Sequence, residues 1–351
     1  MLSNYLTIIF RKLRKERLYS IINLLGLTIG LTAFLLITLY VRDELSYDKF
    51  HTNHEQLYRV YATDTTREVK LGGIAPDLAG IILTDIPAVE SAVRMISGGK
   101  KSLLTVGDER IYSDKVIFSD ANFFEMLDFK LVEGVAQSVL DQPYQAVITT
   151  AFAEKLFGEK NPIGKTVTLN KERELVVTGI SETPPNNSSL RFDMVIRSGV
   201  AEMDTQTPGG MTSALTYLKI PEDNDKAQVV KMINELKTKS GYGIFVEDDV
   251  FGLLPITDQR LHAGFTYAIL TDQSDIRFVY LFSGIGLVIL LLAVINYVNM
   301  VTASSLKRAK EIGLRKVIGA QKSQLVWYQL VESVVVTTIA LVIAFALTER
   351  L

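Results

Sequence analysis

Phe278–Leu306 reads FVYLFSGIGLVILLLAVINYVNMVTASSL, 29 residues without a charged side chain. About 20 apolar residues suffice for a helix to cross a hydrocarbon core roughly 30 Å thick, so this stretch makes the chain a membrane protein. Two more runs share its character. Ile21–Val41 is 21 residues without a charge, and Ser333–Thr348 extends back to Leu325 if the lone Glu332 is admitted. About 235 mostly polar residues separate the first run from the second.

The charges beside these runs set a topology. Arg11, Lys12, Arg14, Lys15 and Arg17 precede the first, opposed by Glu16, whereas Arg42, Asp43, Glu44 and Asp48 follow it. Between the second and third runs lie Lys307, Arg308, Lys310, Arg315, Lys316 and Lys322 against Glu311. Basic residues stay on the cytoplasmic side, so both the N-terminus and this loop are expected inside. The net charge of −2 hides the segregation. A cleaved signal peptide fits poorly, because the first apolar run is too long and no small-x-small site precedes Arg42.

The chain then divides into a basic cytoplasmic N-terminus (1–20), a transmembrane helix (21–41), an extracytoplasmic domain (42–277) and a second transmembrane helix (278–303). A cytoplasmic helix and loop (304–324), a third transmembrane helix (325–348) and an outer end (349–351) follow. With no cysteine, disulfides and thiolate chemistry are excluded, and the outer domain must rely on its own core. Strand-like runs are Leu57–Ala62, Ile111–Phe118, Gln145–Thr149, Thr166–Leu169, Leu175–Ile180, Phe192–Ile196 and Leu215–Ile220. Helices are expected at Ala121–Leu127 behind an Asp120 cap, at Thr150–Phe157 stopped by Gly158, and at Asp225–Lys237. Arg42–Phe50 reads as the first membrane helix continuing into water. The fold class is therefore α-helical spans carrying a large α+β extracytoplasmic domain of two lobes, hinged at Ala201–Gly210.

Catalytic chemistry is not indicated. Gly158–Thr166 resembles a phosphate loop but has five residues between its glycines, one of them Pro162, which has no N–H to offer. It reads as a helix stop and a turn into a strand. His51, His54 and Asp48 lack a further ligand at metal-binding spacing, and the histidines are expected on the surface. No catalytic, cofactor-binding or metal residue is expected on this chain.

Leu306–Gln321, LKRAKEIGLRKVIGAQ, has a helical pattern. Leu306, Ala309, Gly313, Val317 and Ala320 fall within about 80° of arc, with Arg308, Glu311 and Arg315 opposite. Glu311 and Arg315 are spaced for a helical ion pair, and Gly319 can end the helix. A short amphipathic helix after the second span either anchors the loop at the membrane surface or presents a docking face. In the first span, Gly26, Gly30 and Ala33 form a small face suited to close contact with another span. Asn296, Asn299, Gln329 and Glu332 are costly in lipid and are expected to face the bundle or an interface.

Arg308-Ala-Lys-Glu311-Ile312-Gly313-Leu314-Arg315-Lys316 with Gly319-Ala320 resembles the coupling-helix motif of FtsX/MacB-type ABC transporter permeases. Asp120–Phe129 with Glu133-Gly134, Phe157-Gly158, Asn161–Thr166 and Val177–Ile180 resemble their periplasmic core domain. Arg42–Asp48, Phe50 and Tyr58–Val60 are similar to the exit segment of the large MacB-like members. The likeness covers nearly the whole chain and is weakest from about Ala201 to Asp258. It implies a non-catalytic permease subunit in the inner membrane, working with a separate ABC ATPase that holds ATP and Mg. Arg308, Glu311, Ile312, Gly313, Leu314, Arg315, Lys316 and Gly319 would dock on that ATPase. It further implies a second permease copy or homologue as dimer mate, periplasmic or outer-membrane partners, and no nucleic acid. Members end with a fourth membrane helix, whereas this sequence stops at Glu349-Arg350-Leu351, so it resembles a truncated product or the first part of a larger permease. The rival reading is a membrane-anchored sensor or scaffold with no ATPase partner.

Overall fold

The computed structural model describes residue 11 and residues 17–98, 101–198, 213–236, 249–266, 270–317 and 321–350. They fall into two compact units, Ser46–Ile276 and the helices on either side of it.

The helical unit holds α1 (Arg17–Glu44), together with two long helices that follow the outer unit. Each of the three contains a window long and apolar enough to cross a membrane, within Ser20–Glu44, Ile276–Ala303 and Gln329–Arg350. The first helix ends earlier than Arg42–Phe50 suggested. It stops at Glu44, and Asp48 takes a left-handed φ of 57°. A run of helical residues cannot absorb such a backbone, and Asp48 is held in it by bonds to distant residues described below.

Ser46–Ile276 is built on one continuous hydrogen-bonded network of strands. The strands are β1 (Leu57–Asp64), β2 (Val69–Leu71), β3 (Ser91–Ser97), β4 (Ser102–Val106), β5 (Glu109–Ser113), β6 (Val116–Ser119) and β7 (Leu131–Glu133). Then come β8 (Gln145–Thr149), β9 (Thr166–Leu169), β10 (Arg173–Ser181), β11 (Met194–Arg197), β12 (Leu215–Lys219) and β13 (Val250–Pro255). Their order is β13-β1-β12-β3-β6-β11-β8-β10-β9-β4-β5, with β2 on β1 and β7 on β10. Among the described strands, β8–β10 and β6–β11 pair in parallel and the rest antiparallel. The helices are α2 (Pro76–Asp85), α3 (Phe123–Leu127), α4 (Thr150–Phe157) and α5 (Lys226–Leu236).

The two lobes are halves of this one sheet, and the second is inserted into the first. β1–β3 and β12–β13 make one half, β4–β11 the other, and β3–β6 pairing joins them. The expected hinge, Ala201–Gly210, lies outside the described residues. In the first half, α2 and α5 cover the sheet through Leu78, Ile82, Val229 and Ile233, packed with Leu218 and Phe251. In the second, α4 contributes Phe152 and Leu156 to a core with Ala146, Ile148, Met194 and Ile196. The alternate residues Val147 and Val195 point to the opposite face, into a core around Phe123, Phe124, Phe129 and Phe192. Because side chains alternate across a strand, covering both faces requires an unbroken apolar run. That is why VIT and MVI read as short continuous stretches.

Local chemistry explains several boundaries. α4 is capped by Thr149, whose Oγ1 accepts from the Phe152 N–H at 3.3 Å, and it ends at Gly158 with φ of 60°. The following segment forms the turn expected of it: Asn161 Oδ1 accepts from the Ile163 N–H at 2.8 Å, and the Gly164 N–H donates to Val177 O at 2.8 Å. Asp120 does not cap the next helix. α3 starts at Phe123 behind Asn122 without a side-chain cap bond. Asp120 instead accepts from Arg94 Nε and Nη2, at 2.9 and 2.8 Å. The single strand expected over Ile111–Phe118 is two strands, β5 and β6. Ser113 Oγ turns the chain between them, accepting from the Lys115 N–H at 3.0 Å and donating to Asp193 at 2.7 Å.

Candidate functional site

The residues expected to meet an ATPase lie on α6 (Ile276–Val317). The sequence suggested a separate short helix after the second span. The backbone instead stays helical through all 42 residues, because Thr302–Leu306 contains no glycine or proline to interrupt it. At about 1.5 Å per residue the helix is about 63 Å long, roughly twice the hydrocarbon thickness. Its apolar window closes at Ala303, so Ser304–Val317 forms a helical extension beyond the span. Arg308, Glu311, Ile312, Gly313, Leu314, Arg315 and Lys316 all lie on that extension. Val317 at its tip is 85% exposed. Gly319 lies outside the described residues, and the chain re-enters helix at α7 (Lys322–Arg350).

The small residues of α1 meet α6. A Cβ on Gly26 would come within 2.7 Å of Asn296 Nδ2, and one on Gly30 within 2.5 Å of Ala293 Cβ. Farther along, Ile37 faces Gly286 of α6, and the Tyr40 and Phe282 rings meet edge to face at 5.2 Å. Rising numbers on α1 match falling numbers on α6, so the two helices run antiparallel. Ala33 is half-buried. Leu27, Ala293 and Ala340 meet in one cluster, which brings α7 into the same packing. Glu332 is buried on α7, whereas Asn296 and Asn299 are on the exposed surface of the unit. Sequence reasoning missed Asn23, Thr28 and Thr32, which are buried on α1. Thr32 donates its hydroxyl to Thr28 O at 2.8 Å, so it needs no partner from another helix.

Where the chain enters the outer unit, the expectation of a surface histidine fails for His51, whereas His262 is exposed. His51 is 2% exposed, with Nδ1 at 2.6 Å from Leu127 O and 3.2 Å from Asp128 Oδ1. A carbonyl oxygen only accepts, so Nδ1 carries the proton. Its ring packs against Phe50 and Phe129. His51 closes the entry segment onto α3, and among the described residues no group of three or more His, Asp or Glu is placed to hold a metal. Asp128 is partly desolvated, which raises its carboxyl. Hydrogen bonds from His51 and Thr52 outweigh this and hold it below the ordinary carboxylate value. The sequence offered one usable signal, the apolar neighbours Phe50 and Phe129.

Residues 20–236 match the family described as MacB-like periplasmic core domain, and residues 283–349 match the FtsX-like permease C-terminal family. One relative is the "Macrolide export ATP-binding/permease protein MacB" of Aggregatibacter actinomycetemcomitans, 26% identical over 68% of this chain and 35% of that protein. The protein of the same name from Burkholderia lata is 25% identical over 95% of this chain and 47% of its own length. The chain thus spans about half or less of the curated relatives it matches. Among solved structures, a domain of a putative permease from Porphyromonas gingivalis aligns with a TM-score of 0.49 at 19% identity. That alignment covers 58% of this chain and 92% of the domain. The periplasmic region of MacB from Actinobacillus actinomycetemcomitans aligns at 0.43 and 19%, covering 59% of this chain and 90% of that region. With an apolar helix at the start of the matched core-domain region and two after that region, this chain belongs to the FtsX/MacB-type family of ABC transporter permeases.

Proposed function

We propose that this chain is the permease subunit that couples a separate ABC ATPase to movements of its own outer domain. The N-terminus and the α6–α7 connection lie on the cytoplasmic side, as the clustering of Lys and Arg there requires. Residues 42–277 lie outside. The ATPase grips the α6 extension at Arg308–Lys316, and a second permease copy or homologue completes the assembly. ATP and Mg are bound by the ATPase.

The observation that carries this reading is the unbroken course of α6. Its first residue, Ile276, is the last residue of the outer unit, and its tip carries the motif. A continuous helix passes displacement along its axis without a hinge. The work is mechanical: cargo is handled outside and does not pass through the three spans. The relatives' name makes macrolide-like amphiphilic drugs the first cargo class to test. Peptide export, lipoprotein release and envelope remodelling are the other outputs of this mechanism.

The test is co-purification of the full protein from membranes with its candidate ATPase, comparing wild type with Glu311→Ala/Arg315→Ala. Recovery with wild type and loss with the variant supports the reading. Absence of any ATPase from the folded wild-type protein overturns it in favour of a membrane-anchored sensor.

A further inference from the structure

The outer unit contains two fully buried charges that do not touch each other. Arg59 on β1 and Asp48, four residues past α1, are each 0% exposed. Isolated charges in such surroundings cost several kcal/mol each unless hydrogen bonds compensate. Both are held by bonds that reach the Gln259–Ile276 segment. Arg59 donates through Nε and Nη2 to Gly72 O, at 2.9 and 2.6 Å, and through Nη1 to Thr271 Oγ1 at 3.0 Å. Its guanidinium lies 4.3 Å from the centre of the Phe265 ring. The Tyr217 hydroxyl donates to Gln259 Oε1. Gln259 Nε2 donates to Asp48 Oδ2 at 3.1 Å and to Ser189 Oγ. Ser189 donates its hydroxyl and its N–H to the two oxygens of Asp48, at 2.5 and 2.9 Å.

The directions are consistent from end to end. Asp48 as a carboxylate only accepts, which fixes the Gln259 amide, and that in turn fixes the Tyr217 proton. The donors of Tyr217, Gln259 and Ser189 therefore all lead towards the Asp48 carboxylate. Burial pushes the Tyr217 hydroxyl up to about 12, so it stays a donor.

The relay's members come from distant parts of the chain, and two segments matter most. Ser46–His51 follows the first span. Gln259–Ile276 precedes the second. The two are joined beside the relay as well: Arg260 stacks over Tyr47 at 4.4 Å. The Asp48 N–H donates to Asn187 O and the Asp272 N–H to Ser189 O, at 2.9 and 3.1 Å, so the 187–189 loop grips both.

We propose that the Tyr217–Gln259–Ser189–Asp48 relay, with the Arg59–Thr271 bond beside it, is a latch that locks the two chain segments leading to the first and second spans into one piece with the β1–β12 sheet. With the latch closed, the outer half-sheet moves with both segments together. With the Tyr217 hydroxyl removed, the Gln259 amide loses the bond that ties it to β12, and both segments loosen at once. What drives the movement rests on the proposed permease function, but the locking does not.

The test is hydrogen exchange of the full chain in detergent, comparing wild type with Tyr217→Phe, Gln259→Leu and the control Tyr112→Phe, whose ring is exposed. Tyr217→Phe deletes one hydroxyl and leaves the core shape intact, so it remains informative if Gln259→Leu fails to fold. The expected result is about tenfold or faster exchange at the amides of Asp48 and Asp272 together, with the amides of α4 and β9 unchanged. Loosening confined to β12 around position 217, or of one segment without the other, overturns the latch. A wild-type protein that recovers no ATPase would remove the permease reading and leave this result standing.

Discussion

The two units are held together by different means. In the outer unit, Arg59 and Asp48 are fully enclosed and each makes several directional hydrogen bonds. In the helical unit, α1 meets α6 where side chains are missing, Gly26 and Gly30 against Asn296 and Ala293. Lipid is as apolar as the side chains it surrounds, so spans associate by shape and close approach. In the water-facing unit, a buried charge is tolerated only when its partners are placed correctly. Shape therefore specifies the first packing, and bond direction specifies the second.

The sharpest way to break that contrast is Arg59→Met. It removes the donors to Gly72 O and Thr271 Oγ1, at an expected cost of about 3 kcal/mol. Thermal unfolding of the full chain should show the outer unit melting first, and an unchanged outer-unit transition would show that the buried Arg59 contacts are dispensable. Next comes the pair Gly26→Ile and Gly30→Ile, which should cost about 1–3 kcal/mol by overpacking. Because the chain has no cysteine, the readout is a disulfide between Tyr40→Cys and Phe282→Cys. Its yield should fall while outer-unit hydrogen exchange stays the same.

Thr149→Ala removes one cap and should cost about 1 kcal/mol. Faster exchange should be confined to α4 and leave the spans untouched. The smallest effect is expected from Asp128→Asn, which keeps a residue that tolerates the left-handed φ of 44°. Asp128 is held below its ordinary pKa, so its contribution is full above the unfolded value and is lost as pH falls through the lower folded value. Melting curves from about pH 6 to about pH 3 should therefore show a shallower acid loss in the variant. An identical slope would remove His51–Asp128 from the account.

Much of the fold was legible because its signals are local. The three spans are long uncharged runs. Gln145–Thr149 and Thr166–Leu169 are strands at the expected bounds, and Thr150–Phe157 carries its own cap and stop. β3 was not legible, since Arg94 interrupts its pattern and is accommodated only by Asp120 from elsewhere in the chain. α2 was hidden by Gly80 within and Pro76 at its start. The ends of α1 and α6 were misjudged in opposite senses. Asp48 stops the helical course early through long-range bonds, and nothing in Thr302–Leu306 stops α6 where its apolarity ends.

The sequence by itself determined that this protein has three membrane-length helices, a large mostly polar domain between the first two, and a basic segment that resembles a coupling motif. These follow from hydropathy, charge and helical period, which neighbouring residues express without help. Only the tertiary structure decided that one half-sheet is inserted into the other, that Gly26 and Gly30 face the second span, and that Asp48, Ser189, Tyr217 and Gln259 converge on one relay. A buried polar residue looks like any surface residue in sequence. Its role depends on partners up to 212 positions away, and only the folded chain brings them within hydrogen-bonding distance.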